Sequence, residues 1–158
     1  MPSAQEFDET DVRLLLALRE DPRATVVALA EKVGMSRNTV QARLAKLEPQ
    51  LGSFERRIDA ASLGYPLSAF ITVQVTQQML DALAESLAEI PEVVEVFGLT
   101  GESDLLVRVV AVDADDLYRI AGQILNTPGV ERTHFSLSMH TLVPYRLTPL
   151  LHRATTGT

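Results

Sequence analysis

The sequence predicts an α+β protein: an N-terminal winged helix-turn-helix followed by a ferredoxin-like βαββαβ domain on an antiparallel sheet. Three observations carry that reading. Apolar residues recur at helical spacing between capping residues over 8–48. They alternate with polar ones over 70–76 at the period of a strand, and three further strand segments follow between helices and turns. The stretch 87–93 is echoed by 125–130, as in a duplicated strand-helix-strand unit.

Taken in order, Asp8 is placed to cap a first helix, with Asp11 in capping-box position. Val12, Leu15, Leu16 and Leu18 form its stripe, and Asp21-Pro22 ends it. Thr25 caps a second helix with Val26, Leu29, Ala30 and Val33 inward, and Gly34 follows where a left-handed residue is expected. Ser36 caps a third helix with Val40, Leu44 and Leu47 inward. Two short helices on a glycine turn make the helix-turn-helix layout, although a generic helix hairpin shares these features.

The outer face of the third helix favours the first reading. At about 100° per residue, Asn38, Gln41, Ala42 and Ala45 point away from the core, flanked by Thr39, Arg43 and Lys46, with Arg37 beside the N-terminus. Asn and Gln can pair bidentately with adenine, and Ala leaves room for a thymine methyl. Cations and hydroxyls at the rim, Ser36 included, suit phosphates. Base readout by Asn38 and Gln41, with Arg37, Thr39, Arg43 and Lys46 on the backbone, is the expectation. Beyond Pro49, residues 52–58 read as a turn into a short β segment whose Arg56 and Arg57 could lie along the phosphates as a wing; a plain linker is the alternative.

Charge is divided in a way that fits. The chain carries a net −7, yet residues 1–58 balance nine basic against nine acidic side chains, and 35–57 hold five basic against two acidic. Exposed charges are screened beyond about 10 Å, so the local field decides at a contact surface. The apolar fraction of 46% excludes a disordered chain. The absence of cysteine excludes disulfides, thiolate nucleophiles and Cys-x-x-Cys zinc sites. No apolar run approaches the ~20 residues of a membrane span, and the first residues lack the basic and apolar regions of a secretory signal. A cytoplasmic protein without membrane contact is expected.

In the rear half, 59–66 separates the domains, and 70–76 alternates as a strand. A helix follows with Leu80, Leu83, Leu87 and Ile90 on one face. Strands over 93–100 and 104–112 flank a tight connection at Gly101-Glu102-Ser103. Asp113 caps a helix with Leu117, Ile120, Ala121, Ile124 and Leu125 inward, and a last strand runs over about 130–142. This split βαβ arrangement leaves one sheet face bare, most simply covered by a second copy of the chain.

The segments 7–11, 29–36, 40–48, 91–93 and 100–104 together resemble the Lrp/AsnC, or feast/famine, family of transcription regulators. The resemblance implies a DNA-binding domain over 1–58, a linker at 59–66, and an effector-binding and oligomerisation domain over 67–146. Residues 147–158 are expected to be a flexible tail. It also implies dimers that assemble into octamers, a small-molecule effector of the amino-acid class, and a pseudo-palindromic operator on double-stranded DNA. Carried over by position, Thr100, Gly101, Glu102, Ser103 and Asp104 form the effector loop, with Ser136 and Ser138 on the last strand beside it. Backbone N–H groups there could take a carboxylate and Asp104 an ammonium. As a bare hairpin, the same residues would merely serve turn geometry. Ser103 stands where the family usually has an aromatic, and 52–57 lacks the usual apolar pair.

No catalytic or metal site is expected. His134 and His140 on one strand would stand ~20 Å apart, too far to share a metal. Asp113, Asp115 and Asp116 lack the Gly and terminal Glu of a calcium loop. An architectural DNA binder without effector sensing is the alternative function.

Overall fold

The computed structural model describes residues 7–76 and 79–156. Three helices come first: α1 (Glu9–Glu20), α2 (Val26–Val33) and α3 (Arg37–Leu47). Each begins at the expected cap. Asp8 and Asp11 form a complete capping box, Thr25 accepts the Ala28 N–H, and Ser36 accepts the Thr39 N–H. Leu14, Ala17, Leu29, Ala30, Val33, Val40 and Leu47 make one closed core. On α1 the buried face is Val12, Leu14 and Ala17; Leu15, Leu16 and Leu18 are only half-buried. Five consecutive apolar residues at 14–18 left the phase of this helix open in the sequence.

The second unit holds β1 (Leu67–Val75), α4 (Leu80–Ala88), β2 (Val93–Gly98), β3 (Leu105–Ala111), α5 (Ala114–Leu125) and β4 (Val130–Leu137). The sheet order is β2-β3-β1-β4, all antiparallel, so β1 and β3 lie centrally. Ile71, Val73, Val107 and Val109 meet Leu83, Leu87, Ile120 and Ile124 in the core. Each such fully buried side chain contributes about 1.5–3 kcal/mol. Leu80 and Leu125, expected inward, are exposed at the helix ends. The alternate residues of the sheet form the uncovered face, where Phe70 and Phe97 remain 36% and 44% exposed.

Three expectations are corrected. Phe54–Arg57 is a 3-10 turn and not a wing strand: the Ile58 N–H bonds back to the Glu55 carbonyl, and 48–50 is itself a 3-10 turn carrying Pro49, so no neighbouring strand is available for a ladder. β4 ends at Leu137 because its partner runs out; the Ser138 N–H still reaches the Ser68 carbonyl, but two residues before Ser68 stands Pro66, which has no N–H to offer. The described part of the tail is helical, where a flexible segment was expected. Residues Thr148–Thr156 form α6, with Pro149 tolerated in the first turn, and α6 packs on α1. By contacts, the described residues up to Ser53 and from Val143 onward form one unit, and Phe54–Leu142 the other. Gly157 and Thr158, expected in the tail, lie outside the described residues.

Candidate nucleic-acid interface and effector pocket

The turn between α2 and α3 is built on Gly34, whose φ of 71° lies in the left-handed region, while the Met35 N–H returns to the Ala30 carbonyl at 2.9 Å. This brings Ser36 to the start of α3. Its Oγ accepts the Thr39 N–H at 3.2 Å and lies 2.8 Å from Thr39 Oγ1, so one of the two hydroxyl protons is used locally and the other stays available. Val40 and Leu47 anchor the helix from within, leaving Arg37, Asn38, Gln41, Ala42 and Lys46 exposed. The side chains of Arg37, Asn38, Gln41 and Lys46 make no hydrogen bond or ion pair with other described residues. The face therefore offers two amides and two cations free of internal partners.

The three other arginines expected on phosphates have internal partners. Arg43 Nη1 donates to Asp8 Oδ1 and Oδ2 at 2.7 and 2.6 Å and to Asp11 Oδ1 at 2.8 Å. The Arg43 bond and the Asp11 N–H hold the Asp8 carboxyl below its usual range, and the two carboxylates raise the Arg43 value. Arg56 Nη2 donates to Glu95 Oε1 at 2.6 Å, and Glu95 also receives Arg108 at 3.3 Å. The Arg57 guanidinium stacks 5.6 Å from the Phe54 ring centroid. Arg56 and Arg57 belong to the sheet-bearing unit, not to that of α1–α3.

In the second unit, the loop 99–104 closes where the Leu99 N–H meets the Asp104 carbonyl at 2.8 Å. Gly101 has a φ of 118°, a conformation that side-chain-bearing residues rarely adopt. Asp104 is turned onto β1: its N–H donates to the Val73 carbonyl, and its Oδ2 accepts the Val75 N–H at 2.8 Å. One oxygen of that carboxylate continues the ladder beyond the last β3 pair, Val73 with Leu105.

A cavity of about 500 Å³ lies on the uncovered face beside this loop. Of the expected residues, Glu102 and Ser103 line it; Thr100, Gly101, Asp104, Ser136 and Ser138 do not. Sequence reasoning missed Thr72, Gln74, Arg132 and Thr133, and weighed His134 as a metal ligand, too far from His140 to share one. Register explains the grouping. Thr72 pairs with His134 and Gln74 with Arg132, so four polar side chains form a block on one face, two strands wide. Gln74 Nε2 donates to the Glu102 carbonyl at 2.6 Å, fastening the loop to that block. Arg132 and His134 have no side-chain partner among the described residues. The sequence signal was present: polar residues at alternate positions of two strands otherwise facing a core.

A capped helix-turn-helix with exposed amides and cations on α3, and a second unit whose sheet carries a polar cavity, suit a DNA-binding regulator with a ligand-binding domain. The AsnC-type helix-turn-helix domain matches residues 7–48, and the Lrp/AsnC ligand binding domain matches 68–148. The chain belongs to the Lrp/AsnC family. It is 32% identical to the HTH-type transcriptional regulator FL11 of Pyrococcus horikoshii, over 85% of this chain and 91% of that one. It is 34% identical to the HTH-type transcriptional regulator AldR of Mycolicibacterium smegmatis, over 78% and 75% respectively. Among solved structures, a transcriptional regulator–L-Met complex from Neisseria meningitidis superposes with a TM-score of 0.78 at 27% identity, covering 92% of this chain and 99% of that one. A feast or famine regulatory protein from M. tuberculosis complexed with L-methionine gives 0.77 at 29%, covering 89% and 97%.

Proposed function

We propose that this chain reads operator DNA with α3 and that an amino acid bound beside the 99–104 loop changes its assembly or its hold on DNA. Asn38 and Gln41 read base edges, Ala42 accommodates a thymine methyl, and Arg37, Thr39 and Lys46 position the phosphates. Removing either amide costs about 1–3 kcal/mol at one base pair. In a dimer, two such helices meet successive major grooves about 34 Å apart, which calls for a pseudo-palindromic site. The exposed Phe70 and Phe97 on the uncovered sheet face support burial against further copies, with the family's octamer as the expected assembly. The setting is the cytoplasm; among the described residues no helix is long and apolar enough to cross a membrane.

The observation that carries the effector class is the unpaired Arg132 guanidinium in a cavity that also holds Glu102. A cation and an acid across ~500 Å³ complement a zwitterion, the first for its carboxylate and the second for its ammonium. The L-methionine held by two similar structures supports the same class. A thermal-shift screen with the twenty amino acids tests this. A ligand at 100 times its Kd adds about 2.7 kcal/mol of stability. At least one amino acid is expected to stabilise the wild type and to lose that effect on Arg132→Gln, while its decarboxylated amine does nothing. No shift with any of them, in a protein that still binds DNA, returns the architectural reading.

A further inference from the structure

Arg43 lies on α3, the helix proposed to read DNA, yet about 200° around the axis from Gln41, on the flank turned toward α1. Its Nη1 is shared by Asp8 and Asp11, whose own side chains and N–H groups already bond reciprocally, Asp11 N–H to Asp8 Oδ1 at 2.9 Å and Asp8 N–H to Asp11 Oδ2 at 3.2 Å. Asp11 is only 2% exposed, the sole buried charged residue among those described, and a buried carboxylate requires a cation beside it. One guanidinium thus joins the capping box of α1 to the middle of α3. Val40, Leu44 and Leu47 hold the helix along one apolar seam, and the charged bond at Arg43 adds a second attachment on its flank.

We propose that Arg43 is a positioning residue, not a DNA contact: through Asp8 and Asp11 it fixes the rotation of α3 so that Asn38 and Gln41 face the groove. This rests on the assignment of α3 as the DNA-reading helix.

The two roles predict opposite signs for Asp8→Asn. Asn remains a good helix N-cap, so α1 persists. If Arg43 served phosphates, removing its internal competitor and a negative charge would tighten binding. As a positioning residue it loses a partner, and binding weakens. The measurement is affinity for duplexes that the wild-type chain selects from a random-sequence pool, across a salt series. Asp8→Asn and Arg43→Met are expected to weaken binding several-fold with an unchanged slope of log K against log salt and a lowered melting temperature. Lys46→Met is expected to flatten the slope by about 0.9 per phosphate contact removed while keeping the melting temperature. Arg43→Lys restores part of the affinity through its retained charge. Tighter or unchanged binding by Asp8→Asn overturns the proposal, as does a flattened slope in Arg43→Met. If the wild type enriches no duplex, the assignment of α3 itself falls, and this role with it.

Discussion

Replacing Asp104 separates what holds the effector loop from what the loop could bind. Its Oδ2 accepts the Val75 N–H at 2.8 Å, past the end of the β1–β3 ladder and beside the register shift at Gln74/Val75. Val75 is buried, so Asp104→Ala leaves a backbone donor without a partner. That costs about 1–3 kcal/mol, toward the lower end because Asp104 is half-exposed and water can partly replace it. At about 4–8 °C per kcal/mol for a domain of this size, calorimetry resolves the loss. Asp104→Asn keeps an acceptor oxygen while removing the charge, so it should melt within a few degrees of the wild type. If Ala and Asn variants melt together, the bond to Val75 carries no stability and the reasoning fails. If Asn alone abolishes the amino-acid response at full stability, the carboxylate faces ligand after all.

Two further outcomes follow from the caps and ion pairs. Ser36→Ala removes the acceptor of the Thr39 N–H and should cost about 1 kcal/mol by urea unfolding, recovered in Ser36→Asp; equal midpoints for the two variants would dismiss the cap. Arg43, Lys32 and Arg119 hold the carboxyls of Asp8, Glu20 and Asp116 low. A carboxyl depressed in the folded state stabilises the fold above the unfolded value near pH 4 and loses that contribution as pH falls through its folded value. The urea midpoint should fall on acidification below about pH 4, less steeply in Arg43→Met; identical profiles would show that the Asp8 pair adds nothing.

Local chemistry was legible in the sequence wherever one element sufficed to express it. Asp8, Thr25, Ser36 and Asp113 cap helices because each supplies an oxygen to an N–H three residues on, a relation written in adjacent letters. The order of strands and helices was equally local, in alternation and turn residues. What escaped notice depends on partners distant in the chain. The ion pairs of Arg43 with Asp8 and Asp11, and of Arg56 with Glu95, join residues more than 30 positions apart in the chain. Thr72, Gln74, Arg132 and His134 become one cavity wall only through the β1–β4 register. The helix α6 has too few apolar residues to announce itself, and it lies against α1.

The docking of α6 on α1 also bears on how the chain is made. Roughly 130 residues separate the end of one helix from the start of the other. At a ribosomal pace of about 5–20 residues per second, α1 waits about 6–26 s for its distal neighbour. During that interval the whole intervening sheet unit is synthesised and free to collapse. The contact between α1 and α6 is therefore completed only after the sheet unit between them has been made.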